Sequence, residues 1–226
     1  MLVRIPGLLS PDEAAGVRAR LEAAEWVDGN VTSGEMAASA KRNLQVPETH
    51  PVARELGALV LGALNRSPAF VSAVLPSRVF PPLFNRYEAG MRFGAHVDNA
   101  IRVAEGGGRI RTDVSSTLFL TPPDEYDGGE LVIEDTYGEQ RVKFDAGDLV
   151  VYPATSLHRV EPITRGARWA SFFWTQSMVR DDGARRLLYE LDGAVQELRA
   201  RLPDDTAALV RLTGVYHNLL RRWTEL

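Results

Sequence analysis

From about Ser77 to Met178 the chain is a succession of short apolar runs cut by Gly, Pro and Asp, a texture that calls for a sheet protein with many turns. The runs are Val79 to Tyr87, Gly94 to Val97, Ser115 to Leu120, Glu130 to Glu134, Gln140 to Phe144, Asp148 to Tyr152, Leu157 to Pro162 and Arg168 to Gln176. So many short strands in about a hundred residues predict a double-sheet jelly roll, a double-stranded β-helix. The turn chemistry agrees. Tyr126-Asp127-Gly128-Gly129 precedes one strand, Asp135-Thr136-Tyr137-Gly138 separates two, and Ala146-Gly147 leads into Asp148. Gly106-Gly107-Gly108 marks a loop that reads equally as a surface linker or as a lid.

Helical patterns flank this zone. From Ser10, SPDEAAGVRARLEAAEW opens with a capping serine, a proline at the first helical position and acids in the first turn, then puts Val17, Leu21 and Ala24 on one stripe. A second helix is expected from His50 to about Asn65, with Val52, Leu56, Leu59 and Val60 on one face, and short strands are expected between the two. After Met178, one stripe carries Leu187 or Leu188, Leu191, Val195, Leu198 and Leu202. A second, after Pro203, carries Leu209, Leu212, Tyr216, Leu219 or Leu220, and Trp223. The expected architecture is therefore mainly β with flanking helices: a jelly-roll domain over 1–178, whose core strands occupy about 77–178, and a C-terminal helical hairpin over 179–226. That hairpin must hide its apolar faces on the jelly roll or on a second subunit, so a homodimer through these helices is one expectation.

Composition narrows the chemistry. The chain has no cysteine, which excludes disulfides, thiolate nucleophiles, cysteine-ligated zinc and iron–sulfur clusters. A metal must then be held by carboxylates and by His50, His96, His158 or His217. A net charge of −4 argues against a main task of gripping nucleic acid or an anionic membrane. No stretch approaches the ~20 apolar residues of a spanning helix and no cleavable leader is evident, so a soluble cytoplasmic protein is expected.

Within the sheet zone His96-Val97-Asp98 puts two ligand types at i and i+2, which on one strand point to the same face. Alone this pair is as readily structural as functional. His158, 62 residues further on at the start of another extended run, raises it to the two-histidine, one-carboxylate set that leaves open positions on Fe(II). Arg168 stands on a strand whose other residues are largely apolar. A buried guanidinium needs a carboxylate, which is either an internal Asp or Glu or one belonging to a ligand. His50, beside Pro51, reads as a helix cap, and His217 as packing or a solvated face. Asn99 and Arg102 read as solvated loop residues, with a place at the substrate mouth as the rarer alternative.

Three stretches resemble a known family: FNRYEAGMRFGAHVDNAIR at 84–102, RTDVSSTLFLTPPDEYDGGELVIED at 111–135, and GDLVVYPATSLHRVEPITRGARWASFFWTQS at 147–177. They are similar to the Fe(II)- and 2-oxoglutarate-dependent dioxygenases, and within them to the bacterial PKHD-type (prolyl/lysyl hydroxylase domain) hydroxylases associated with iron uptake. The resemblance covers nearly the whole chain. It implies that His96, Asp98 and His158 hold Fe(II), that Arg168 pairs with the distal carboxylate of 2-oxoglutarate, and that Tyr87 lies against this cosubstrate. The second tyrosine of the animal prolyl hydroxylases falls here on Phe119, which leaves Thr117 or Ser171 to help steady the cosubstrate.

The activity implied is hydroxylation of an unactivated C–H bond, with dioxygen consumed and 2-oxoglutarate decarboxylated to succinate and carbon dioxide, and with ascorbate as a reductant. No protein acid or base is required. The substrate, a small molecule or a peptide, is not named by the sequence. Two other readings use the same ligands: a cupin-like metal enzyme that does not take 2-oxoglutarate, and a non-catalytic iron or 2-oxoglutarate sensor signalling through the hairpin.

Overall fold

The computed structural model describes residues 1–32, 40–104, 106–203 and 206–225. Two antiparallel sheets face each other. The larger one runs in the order β1 (Val3–Ile5), β14 (Leu149–Pro153), β10 (Val114–Phe119), β17 (Ala167–Ser177), β6 (Leu83–Glu88), β4 (Leu44–Gln45) and β2 (Val27–Asp28), with β5 (Pro76–Val79) pairing the far end of β17. The smaller runs β13 (Gly138–Val142), β12 (Leu131–Asp135), β15 (Leu157–Val160), β7 (Arg92–His96) and β3 (Lys41–Arg42). The expected runs are found as β6, β7, β10, β12, β13, β14, β15 and β17, and their alternation between the sheets is that of a jelly roll.

Strand alternation sorts the side chains into two cores. Phe84, Leu118, Leu149, Val151, Trp169 and Phe173 leave the larger sheet on its outer face. There they bury Ala14, Val17 and Leu21 of α1 (Pro11–Glu22), Leu56, Val60 and Leu64 of α2 (Pro51–Asn65), and Phe70 and Val74 of α3 (Pro68–Val74). The inward set, Tyr87, Phe119, Val150 and Tyr152, meets Leu131, Ile133 and Val160 of the smaller sheet. α1 begins as its sequence dictates: Ser10 Oγ accepts from Glu13 N while the Glu13 carboxylate accepts from Ser10 N, a closed capping box with Pro11 at the first position. α2 is capped by His50, whose Nδ1 accepts from Val52 N at 3.1 Å. α3 was not anticipated; it is a short helix started by Ser67 and Pro68 and held by Phe70 and Val74 rather than by any long periodic pattern.

The C-terminal helices, α4 (Asp182–Arg199) and α5 (Ala207–Trp223), pair as a hairpin. Leu188 is fully buried against Leu75 and Val179, with Tyr216, Leu219, Leu220 and Trp223 packed around them, so this face closes on the chain's own strand end. His217 is exposed on α5. Gly106, Gly107 and Gly108 belong to the turn of a two-stranded hairpin, β8 (Ile101–Val103) with β9 (Arg109–Arg111), where a loop without strands was expected. Part of the region of short strands between α1 and α2, residues 33–39, lies outside the described residues. Among the described residues, no single helix is long and apolar enough to cross a membrane.

One glycine joins the leading segment to the jelly roll. Gly147 has φ +96, its N–H donates to Phe119 O, and a Cβ there would sit 2.2 Å from Leu9 O. Gly147→Ala should therefore lose about 2 kcal/mol or more, from strain plus backbone displacement. Gly7→Ala also has a positive φ, +61, but open space, and should lose less. A thermal melt ranks the two, and equal losses would contradict the packing argument.

Candidate active site

One cavity opens into the jelly roll between the sheets, and the residues singled out from sequence meet in it. β15 and β7 are hydrogen-bonded neighbours with His158 directly opposite His96, which brings the two imidazoles to 4.2 Å between ring centroids. Asp98 does not share the strand of His96, contrary to the i, i+2 expectation. β7 ends at His96, and Asp98 reaches the same point from the loop beyond, where Ser115 Oγ of β10 donates to its Oδ2 at 2.5 Å. Asp98 Oδ2 is 3.7 Å from His158 Nε2, and one donor atom from each of the three residues falls within 4.8 Å of the others, close enough for one cation to touch all three.

The protonation of this cluster is set locally. Each imidazole turns back on its own strand: His96 Nδ1 lies 2.8 Å from Gly94 O and His158 Nδ1 lies 3.0 Å from Ser156 O. A carbonyl oxygen only accepts, so each Nδ1 carries the proton and each Nε2 lone pair is left for a metal. Burial lowers the pKa of His96, and the neighbouring His158 pushes the same way, which keeps the ring neutral. Phe93 stacks on His96 at 3.6 Å between centroids and fixes its plane.

Arg168 lies on β17, in register with Tyr87 of β6. The residue is 2% exposed and its guanidinium sits 5.6 Å from the Tyr87 ring and 5.3 Å from the Phe119 ring. Among the described residues no carboxylate pairs with it, and its Nε has no hydrogen-bond partner. The internal ion pair that could have explained a buried arginine is therefore not found among them. Burial pushes the Tyr87 phenol up to about 12, so it stays a hydrogen-bond donor.

Tyr152 was missed by the sequence reading. It lines the cavity from β14, its ring packs edge-on against His158 at 5.1 Å, and its hydroxyl lies near Thr117. The alternation of Val150 and Tyr152 in LVVYP was the available signal. Thr117 faces the cavity as expected, whereas Ser171 is fully buried on a strand position that alternates with Arg168 and Phe172, flanked on its own face by Trp169 and Phe173 of the outer core. Arg102, read as a solvated loop residue, packs instead at the mouth, 4.8 Å from the Trp174 ring and 5.1 Å from Phe80. Asn99 lines the same mouth and is exposed.

The comparisons with known proteins fall on these elements. The 2OG-Fe(II) oxygenase superfamily pattern matches residues 82–176, and the PKHD-type hydroxylase C-terminal domain matches residues 182–225. A PKHD-type hydroxylase of Gluconobacter oxydans is 66% identical, with 100% of each chain covered, and one of Methylobacterium nodulans is 62% identical over the same share. This chain belongs to the PKHD-type hydroxylases.

Solved structures carry the same fold at low identity. A Pseudomonas putida prolyl-4-hydroxylase matches with TM-score 0.54 at 21% identity, covering 77% of this chain and 92% of the other. HygX of Streptomyces hygroscopicus, solved with nickel and 2-oxoglutarate bound, matches with TM-score 0.52 at 16% identity, covering 78% and 82%. The hydroxylase thus presents, in an oxygenase fold, a donor set of two imidazoles and one carboxylate suited to an oxygen-reactive iron, and a buried arginine with no carboxylate partner among the described residues.

Proposed function

We propose that this hydroxylase holds Fe(II) on His96, Asp98 and His158, binds 2-oxoglutarate with its distal carboxylate on Arg168, and hydroxylates an unactivated C–H bond of a substrate entering past Arg102 and Trp174. The observation that carries the reading is Arg168: a buried guanidinium with no carboxylate partner among the described residues, lining the same cavity as the three donor atoms. Fixed planar donors suit a carboxylate ligand, and a cupin-like enzyme without 2-oxoglutarate has no use for them there.

The iron, when bound, supplies the oxidising chemistry at the expense of dioxygen and 2-oxoglutarate. The protein's residues orient and enclose. The backbone carbonyls of Gly94 and Ser156 hold both imidazoles in the metal-binding tautomer, and Ser115 holds the Asp98 carboxylate. Tyr87 and Tyr152, kept protonated by burial, offer phenolic donors between the metal ligands and Arg168. Phe172 and Trp174, edge to face at 5.6 Å, line the cavity with apolar surface that excludes water. No side chain is assigned as acid or base.

Iron-loaded protein should bind 2-oxoglutarate without oxygen, seen as a visible metal-to-ligand charge-transfer band. With oxygen it should form succinate. A protein that binds iron but shows neither the band nor succinate contradicts the cosubstrate assignment.

A further inference from the structure

The YDGGEL stretch that helped mark the family remains without a task in the site above. It forms the turn Tyr126-Asp127-Gly128-Gly129, in which β11 (Asp127–Gly128) pairs with β16 (Ile163–Arg165) just before β12. Tyr126 is fully buried, and its hydroxyl comes up beside the Arg168 guanidinium. Like Arg168 Nε, that hydroxyl lacks a well-formed hydrogen bond among the described residues. Two adjacent orphan polar groups in an otherwise apolar surrounding are costly, since each forfeits its hydration without a replacement. Both can donate, so a third group that only accepts would satisfy the two together, and a carboxylate has the lone pairs to do so.

The position of the phenol is strongly determined. Lys143 Nζ donates to Tyr126 O at 2.7 Å and lies 4.0 Å above the ring, clamping the residue from outside. On the other side the backbone of Gly129, at φ +70, is pressed against the pair: a Cβ there would lie 3.1 Å from Tyr126 Cε2, 3.3 Å from Arg168 Cδ and 2.3 Å from Ile163 Cδ1. At Gly128 a Cβ would meet Pro162 O at 2.0 Å. The two glycines thus let the turn approach closely enough to deliver a phenol to Arg168. The β10 strand offers only Phe119 there, which cannot hydrogen-bond.

Building on the cosubstrate assignment to Arg168, we infer that Tyr126 is a second donor to the distal carboxylate of 2-oxoglutarate, supplied by the glycine turn before β12. It makes YDGG part of the cosubstrate pocket and not only a hairpin connection.

The test is anaerobic titration of Fe(II)-loaded wild type and Tyr126→Phe with 2-oxoglutarate and, separately, with 2-oxobutanoate, which keeps the chelating end but lacks the distal carboxylate. Loss of one hydrogen bond to a charged group predicts a Kd for 2-oxoglutarate raised about tenfold or more, with the Kd for 2-oxobutanoate unchanged. An unchanged 2-oxoglutarate Kd, or an equal loss for both ligands, overturns the inference, the second outcome marking a merely structural phenol. Tyr126→Phe keeps the ring and its contact with Lys143, and Tyr126→Leu, which removes both, should show the same ligand selectivity if it folds. Wild type that fails to bind 2-oxoglutarate would instead contradict the underlying cosubstrate assignment, independently of Tyr126.

Discussion

Asp98→Ala should abolish succinate formation and weaken Fe(II) binding by more than about a hundredfold, the upper end of what removing a group behind a metal ligand costs. The carboxylate is the only anionic donor of the three, so its loss takes away charge neutralisation as well as a coordination bond. Ser115→Ala should fall within that range, about ten- to a hundredfold in affinity, because it removes only the hydroxyl that donates to Asp98 Oδ2. Isothermal titration with Fe(II) under argon, alongside a succinate assay, separates the two. An Asp98→Ala protein that binds iron like wild type would remove the triad from consideration.

Arg168→Met should abolish 2-oxoglutarate binding without destabilising the ligand-free fold. The guanidinium is buried with no carboxylate partner among the described residues, and taking an ion out of water costs several kcal/mol. The Tyr87 and Phe119 faces return about 0.5–2 kcal/mol each, which does not cover that cost. An apolar side chain of similar length is therefore expected to be neutral or to stabilise by about 1–4 kcal/mol, or about 2–4 °C in Tm per kcal/mol for a chain of this size. Wild-type Tm should rise with added 2-oxoglutarate, by an amount equivalent to about 2.7 kcal/mol at a hundred times Kd, and the variant's should not. A variant that melts well below wild type would mark Arg168 as structural, the reading its burial on an apolar strand first left open.

The strands of the jelly roll were legible because they are short apolar runs cut by Gly, Pro and Asp. His50 as a cap was legible from Pro51 beside it, and His217 as packing or a solvated face from its place on an amphipathic helix among leucines and arginines. Other features carry no such local mark. α3 is too short for periodicity to register. β8 and β9 are three residues each, and on β8 the apolar Ile101 and Val103 are exposed while Arg102 between them is half-buried, the reverse of what composition suggests. Arg102 was misplaced because its burial comes from Phe80 and Trp174, distant in sequence. Tyr126 and Tyr152 look like ordinary aromatic residues of turn and strand until the barrel closes around Arg168.

The sequence by itself determined the element types and the chemical inventory: short apolar runs cut by turn residues specify strands, and a cysteine-free chain with few histidines restricts a metal site to imidazole and carboxylate. What only the tertiary structure decided is which of those groups meet and in what state. His96 faces His158 because β7 and β15 pair in that register, Asp98 joins them from a loop, and Arg168 is left without a carboxylate partner among the described residues where the two sheets close. The reason is physical. Register, burial and unmet hydrogen bonds are properties of strands brought together across long separations, and no local pattern along the chain encodes them.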